Sequence, residues 1–246
     1  MEPIQVDALV IRQKNYGEAD RILTLFSKQL GIVSAMAKGA RKFKSHQAGA
    51  TQLFCYGRFN LVPGKNMYTL RGAVCEESFF SVSASIENLA LAQYLCDLAY
   101  LTTGPENPDE GVLSLLLNTL YLLSKGEKDS ALLKAVYELK LCQQAGFAPR
   151  TDCCMRCGAM EDLNAFSPAM GGTLCSACGA ADAIKLAAPT VKALQYIAEA
   201  PLSASFGFTL KQDFLCELSK TCEKFILFNV DNYPNSLDYY KKINNF

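Results

Sequence analysis

The pattern of apolar and polar positions changes once along the chain, near residue 80. Before that point apolar residues alternate with polar ones or form short β-branched and aromatic runs separated by glycines, which is typical of β-strands. Five such runs occur in about 75 residues: DALVIRQ, RILTLFS, IVSAMAKG, YGRFNLV and NMYTLRGAV. Five short strands are too few for a large sandwich and favour a small closed barrel, of the kind that binds oligonucleotides.

Alternation along the fourth run assigns its two faces. Phe59 and Leu61 fall on one face, and Tyr56, Arg58 and Asn60 fall on the other. One face can therefore fill a core while the other meets a ligand. For each aromatic residue of the barrel taken singly, a place in the core is favoured over stacking on a base.

After about residue 81 the apolar residues recur every three or four positions, as they do on one face of an α-helix. Four segments show this spacing: Leu91 to Leu101, Val112 to Leu123, Leu132 to Leu139 and Phe214 to Phe225. Pro105 and Pro108 separate the first two segments, and Gly126 ends the second. The sequence therefore predicts an α+β protein of more than one domain, with a barrel at residues 1–80 and an all-α domain at residues 81–246.

Two Cys-x-x-Cys pairs lie between the third and fourth helical segments, in an insert at about residues 150–182. The sequences are CMRCGA and CSACGA, and seventeen residues separate the inner cysteines. Pairs of thiols at this spacing are a strong signal for zinc. The predicted ligands are Cys154, Cys157, Cys175 and Cys178. Cys153 could replace Cys154, but Cys154 reproduces the spacing and the trailing Gly-Ala of the second pair.

The predicted metal is one structural Zn²⁺ per chain. Four thiolates fill a tetrahedron and leave no position for a reactive water, which disfavours a zinc-dependent hydrolase. Gly158 and Gly179 follow the two pairs and allow a positive φ, so that backbone N–H groups can point at the sulfurs.

Motifs of several enzyme classes are absent from the sequence. The one histidine, His46, is followed by Gln47 and Ala48, so the His-x-Glu of zinc deaminases is missing. There is no phosphate-binding loop, no dinucleotide fingerprint and no Gly-x-Ser-x-Gly elbow. We therefore predict a binding protein without enzymatic activity.

The net charge is zero, but its distribution is uneven. Between Arg21 and Cys75 there are nine Lys and Arg and no Asp or Glu, and we call this stretch the acid-free segment. Such segregation favours binding of a polyanion over a merely soluble basic surface. Arg21 lies next to Asp20 and is open to a structural role instead. The predicted nucleic-acid-binding residues are Lys38, Arg41, Lys42, Lys44, Arg58, Lys65, Tyr68 and Arg71.

The stretch YGEADRILTLFSKQLGIVSAMAKGARKFKS, from Tyr16 to Ser45, resembles the amino-terminal block of the bacterial recombination mediator family RecO. The similarity continues in MYTLRGA, in FSPAMGGTLCSACG and weakly in SLDYYKKI. It implies an OB barrel, a helical domain and, in many members, a four-cysteine zinc site.

The resemblance also implies a function without turnover. Members bind single- and double-stranded DNA, anneal complementary strands and, with the partner RecR, help load the recombinase RecA onto DNA coated by single-stranded DNA-binding protein. The implied partners are DNA, RecR and the acidic carboxyl-terminal tail of single-stranded DNA-binding protein, with RecA reached indirectly.

Segments of 18 or more apolar residues, which a membrane span requires, are missing. The least charged apolar run covers residues 111–124, and the amino terminus has no basic region followed by an apolar block. We expect a cytoplasmic, nucleoid-associated protein with no membrane partner. A zinc-containing RNA-binding protein of translation or transcription is the alternative, because a basic barrel permits RNA equally.

Overall fold

The computed structural model describes residues 2–244, and a closed barrel forms the amino-terminal part. Its strands are β1 (Ile4–Tyr16), β2 (Asp20–Ser27), β3 (Gly31–Ala37), β4 (Cys55–Val62) and β5 (Tyr68–Ser78). Around the barrel they follow the order β1-β2-β3-β5-β4, with β3 and β5 parallel and the other neighbours antiparallel. The arrangement is OB-like, and the prediction of a small five-stranded barrel is confirmed.

Strand β1 is long enough to pair with two neighbouring strands. Its first half pairs with β4 and its second half with β2, and the register shifts between Val10 and Arg12. A bulge of this kind bends a strand, which lets β1 follow the curvature of the barrel. On β4 the predicted alternation is confirmed, because Phe59 and Leu61 are buried while Arg58 is exposed.

Helices make up most of the remaining chain. They are α1 (Ile86–Thr103), α2 (Glu110–Lys125), α3 (Ser130–Gln144), α4 (Ala188–Glu199), α5 (Gln212–Asn229) and α6 (Asn235–Asn244), and a short 3₁₀ helix (Phe80–Ala84) precedes α1. The four predicted helical segments correspond to α1, α2, α3 and α5. Within residues 2–244, none of the helices combines the length and the apolar character needed to cross a bilayer.

The cysteine insert contains a small antiparallel sheet. Its strands are β6 (Leu163–Ser167), β7 (Gly172–Cys175) and β8 (Ile184–Lys185), in the order β7-β6-β8. The sequence analysis predicted the cysteine pairs here but no strands. Strands of two to five residues are too short to show a periodic pattern.

Contacts divide the described chain into two compact units. The first contains the barrel, α1, α2 and α6, and the second contains α3, α4, α5 and the small sheet. In the first unit α6 packs against α1, and in the second α3 packs against α5 and α4. Because a compact unit can include more than one domain, the predicted domain boundary at residue 80 stays a prediction.

Candidate nucleic-acid interface and cysteine cluster

The connection between β3 and β4, residues 38–54, carries four of the predicted nucleic-acid contacts, and we call it the basic loop. Lys38, Arg41, Lys42 and Lys44 are all exposed. Arg41 is also fastened to the neighbouring β1–β2 turn, because its Nη1 donates a hydrogen bond of 3.2 Å to the carbonyl of Gly17. The three lysines are therefore the loop cations that are least engaged in holding the fold.

Two side chains at the start of β2 hold the basic loop in place. The carboxylate of Asp20 accepts a 2.7 Å hydrogen bond from the N–H of Gly39, and Nη1 of Arg21 donates to Oγ1 of Thr51 at 3.1 Å. Burial, together with the charge of Arg41, lowers the pKa of Arg21. Arg21 thus has the structural role that its position next to Asp20 left open.

Arg71 lies beside the basic loop. Ala35 and Met36 of β3 pair in parallel with Tyr68 and Thr69 of β5, so the strand that leads into the basic loop runs beside the strand that carries Arg71. Nε2 of Gln47, in the loop, donates a 3.1 Å hydrogen bond to the carbonyl of Arg71. The structure therefore brings Arg71 together with the loop cations.

Two other cations of the acid-free segment are paired with acids that lie outside it. Nε of Arg58 is 2.6 Å from Oε1 of Glu76, and Nζ of Lys28 is 2.6 Å from Oε1 of Glu110. A stretch of sequence without acids therefore does not leave all of its cations unopposed. Among the described residues, the structure contains no ion pair for Lys38, Arg41, Lys42, Lys44, Lys65 or Arg71.

Lys65 and Tyr68 line a separate surface cavity near the β4–β5 connection, which Ser34 and Glu106 also line. Tyr68 is half-buried and packs against the barrel core. This placement agrees with the interpretation of Tyr68 as a core residue. Of the eight predicted nucleic-acid contacts, the four loop cations and Arg71 form one group, whereas Arg58 is paired with Glu76, and Lys65 and Tyr68 line a cavity of their own.

The four predicted cysteine ligands meet in the second unit. The sulfurs of Cys154, Cys157, Cys175 and Cys178 all lie within 4.8 Å of one another, and those of Cys157 and Cys175 are 3.6 Å apart. Sulfurs placed tetrahedrally about 2.3 Å from a zinc ion are about 3.8 Å apart, so the cluster fits such an ion. Cys153 is buried outside the cluster, where its carbonyl accepts a 2.9 Å hydrogen bond from Oγ1 of Thr173.

The two cysteine pairs form different turns. In the first, Gly158 has a φ of 75° and its N–H donates to the carbonyl of Cys154 at 2.9 Å, so the positive φ predicted at this glycine is confirmed. In the second, the N–H of Cys178 donates to the carbonyl of Cys175 at 3.0 Å. The prediction of a positive φ at Gly179 was wrong, because this turn closes at Cys178, before the glycine is reached.

The electrostatics of the cysteine cluster favour a bound cation. Burial opposes ionisation of Cys154, but hydrogen bonds from the backbone N–H groups of Cys175, Cys157 and Arg156 lower its pKa to about 6. Burial and hydrogen bonds with the neighbouring thiols raise the pKa of Cys178 to about 12. One thiolate therefore suppresses the ionisation of its neighbours, and a divalent cation relieves this repulsion. Four soft sulfur donors suit Zn²⁺, so the cysteines can hold such an ion.

Asp182 supports the cluster without belonging to any motif. Its carboxylate accepts hydrogen bonds from Oγ of Ser167 at 2.7 Å and from the N–H of Ala169 at 2.8 Å, which hold the β6–β7 turn. These hydrogen bonds, first from Ala169 and then from Ser167, lower the pKa of Asp182. Sequence reasoning missed this residue, because a lone aspartate fifteen positions from its serine partner carries no local signal.

Comparison with known proteins covers both parts of the chain. The family models described as Recombination protein O N terminal and Recombination protein O C terminal match residues 1–79 and 83–238. A "DNA repair protein RecO" of Acetivibrio thermocellus is 36% identical over 246 residues, which is 99% of this chain and 98% of that protein.

Other proteins named "DNA repair protein RecO" are similar over nearly the same length. One from Dehalococcoides mccartyi is 31% identical, covering 94% of this chain and 92% of the relative. One from Alkaliphilus metalliredigens is 30% identical, covering 98% and 99%. The chain belongs to the RecO family of DNA repair proteins.

Proposed function

We propose that this protein is a recombination mediator that binds single- and double-stranded DNA and anneals complementary strands. With RecR, it helps load RecA onto DNA coated by single-stranded DNA-binding protein, whose carboxyl-terminal tail it contacts. The observation that carries the proposal is a group of exposed cations on an OB-like barrel: Lys38, Arg41, Lys42, Lys44 and Arg71. Because no acid pairs with these side chains within residues 2–244, they are available to phosphates.

Annealing needs two polyanionic strands to approach each other. Cations that neutralise phosphates and leave base edges free lower this repulsion without imposing a sequence preference. Binding and neutralisation are sufficient for this task, so the proposed role involves no enzymatic turnover. Arg58 contributes less than the loop cations, because its guanidinium already faces Glu76.

We further propose that Cys154, Cys157, Cys175 and Cys178 hold one Zn²⁺ per chain. A bound zinc ion would supply a fixed cross-link between the two cysteine turns. Since four protein sulfurs complete its coordination, the ion has a structural role. The surrounding chain contributes the hydrogen bonds that stabilise the thiolates and orient the turns.

A salt titration of the full-length protein tests the DNA-binding proposal. The triple variant Lys38→Ala/Lys42→Ala/Lys44→Ala should lower the slope of log affinity against log salt on single strands, for every sequence alike. The expected decrease is roughly 0.7 for each lysine that neutralises a phosphate in the wild type. The variant should also fail to anneal complementary strands, both bare and precoated with single-stranded DNA-binding protein. The fold should be intact, because all three side chains are exposed.

Lys28→Ala is the matched control. Lys28 lies on the same barrel and is exposed, but it is paired with Glu110, so its removal should change the salt slope much less. An unchanged affinity and slope in the triple variant would place the DNA site elsewhere. Tighter binding of single-stranded RNA than of DNA would favour a role on transcripts or ribosomes.

A further inference from the structure

Phe43 lies fully in solvent, at 103% relative exposure. The next most exposed large apolar side chain among the described residues, Met160, reaches 72%. A phenyl ring in this position contributes nothing to the barrel core. Its presence in a loop otherwise rich in charged and small residues therefore has no explanation in the folding of the barrel.

A backbone turn places the ring of Phe43 on the surface. The N–H of Ser45 donates a 2.9 Å hydrogen bond to the carbonyl of Lys42, which closes a turn with Phe43 and Lys44 at its tip. The loop that carries the turn is held at its start by the hydrogen bond between Asp20 and Gly39. The turn thus presents an aromatic ring between two exposed ammonium groups.

We propose that Phe43 stacks on an unpaired base of the single strand whose phosphates the loop cations contact. The inference rests on the proposed DNA-binding function and adds a base contact to it. Aromatic rings interspersed with cations are the arrangement with which proteins bind single strands, because every base has a face on which a ring can stack. The half-buried Tyr68 packs against the core, so Phe43 is the more accessible of the two rings for stacking.

Stacking also predicts a preference between forms of DNA. In a duplex the base faces are covered by their neighbours, whereas the phosphates are exposed in both forms. Phe43 therefore adds affinity for single strands and leaves duplex affinity, which depends on phosphate contacts, almost unchanged. Phe43 should therefore contribute most to DNA affinity while the complementary strands are still unpaired.

The chain contains no tryptophan, so the fluorescence of a single introduced tryptophan reports on its own surroundings. In the full-length variant Phe43→Trp, the single indole should be strongly quenched when oligo(dT) binds, and hardly changed by an abasic oligonucleotide or a duplex of the same length. Phe80→Trp is the matched control. Phe80 is also exposed in the first unit, at 67%, but it has no lysine or arginine beside it in the chain.

Affinity measurements separate stacking from charge. Phe43→Ala should weaken binding of oligo(dT) roughly tenfold without changing the salt slope, since all phosphate contacts remain. Phe43→Leu should behave like Phe43→Ala, because leucine has no aromatic face. The triple lysine variant should instead change the slope.

The outcomes distinguish the two proposals. If the wild-type protein binds oligo(dT) through the loop lysines but Phe43→Trp is not quenched, the stacking proposal is overturned and the DNA-binding function stands. Equal quenching by oligo(dT) and by duplex also overturns it, as does a loss of RecR binding in Phe43→Ala with unchanged DNA affinity. If the triple lysine variant binds DNA as the wild type does, the DNA site lies outside the basic loop, and the stacking proposal fails while DNA binding itself stands.

Discussion

At the scale of single residues, one lysine of the second unit is buried beside its two ion-pair partners. Lys134 of α3 is buried, and its Nζ is 2.8 Å from Oε1 of Glu138 and 2.8 Å from Oε2 of Glu223 on α5. Burial opposes the charge of the ammonium group, but the two carboxylates outweigh it and raise the pKa of Lys134 to about 12. The lysine is therefore charged and connects α3 to α5.

Replacing Lys134 should lower the stability of the protein. Lys134→Met removes the cation from the buried carboxylate of Glu138 and the partly buried one of Glu223, and we expect the free energy of unfolding to fall by about 3–5 kcal/mol in urea denaturation at pH 7. Lys192→Met, on the exposed side of α4, is the control and should change it by less than about 0.5 kcal/mol. Equal stability of the two variants would contradict a stabilising role for the buried lysine.

The ion pairs of Lys134 also make the stability of the protein depend on pH. The pKa of Lys134 is raised in the folded state, so its contribution is fully present below the unfolded value of 10.5 and is lost as the pH rises through about 12. The wild type should therefore lose more stability than Lys134→Met between these pH values. Parallel unfolding curves for the two proteins over this range would argue against the raised pKa.

Substitutions at Gly31 and Gly17 test how closely the backbone of Asn107 approaches the start of β3. Both have a positive φ, of 68° and 55°, but a Cβ on Gly31 would lie 2.4 Å from the backbone of Asn107, whereas one on Gly17 would have nothing within 4 Å. Gly17→Ala should cost only the backbone strain, about 1–2 kcal/mol. Gly31→Ala should cost clearly more in thermal unfolding, and equal losses would show that the Asn107 segment moves away freely.

At the scale of elements, the cysteine turns and the β6–β7 hairpin form one structure. Cys175 ends β7, and Cys154 and Leu174 pack in the same small apolar cluster. The purified protein should contain one zinc per chain by elemental analysis. Cys175→Ser should lose this zinc and disorder the insert, since structural zinc contributes on the order of 10 kcal/mol to small isolated modules.

Cys153→Ala provides the comparison within the same segment. Cys153 is as buried as Cys175, but its sulfur lies outside the cluster, so the zinc content should be unchanged and the stability loss should be that of a small core deletion. Zinc loss of similar size in both variants would show that Cys153 can serve as a ligand.

Local patterns explain which elements could be predicted. Alternation predicted the five barrel strands, the spacing of apolar residues predicted α1, α2, α3 and α5, and the two cysteine pairs predicted the cysteine cluster. Strands β6 to β8 are too short for a period, and the ten-residue α6 was not predicted separately. The partners of Lys28 and Arg58 were missed, because Glu110 and Glu76 reach them only after folding.

At the scale of the whole molecule, the barrel shares a compact unit with the first helices. Nη2 of Arg12, on β1, is 2.7 Å from Oδ1 of Asp97, and its guanidinium lies 4.1 Å from the ring centroid of Tyr100. A fragment of residues 1–80 lacks both partners. We expect it to bind DNA with the salt slope of the full chain but to unfold at a lower temperature, and an unchanged melting temperature would show that the barrel needs no helices.

The first unit is discontinuous in sequence, and this has a consequence for its synthesis on the ribosome. Helix α1 is packed by α6, but about 110 residues of the second unit are made between α2 and α6. At about 5–20 residues per second, this delays the arrival of α6 by roughly 5–20 seconds. During that interval the nascent chain exposes the face of α1 that α6 later covers, so the second unit can fold before the first is complete.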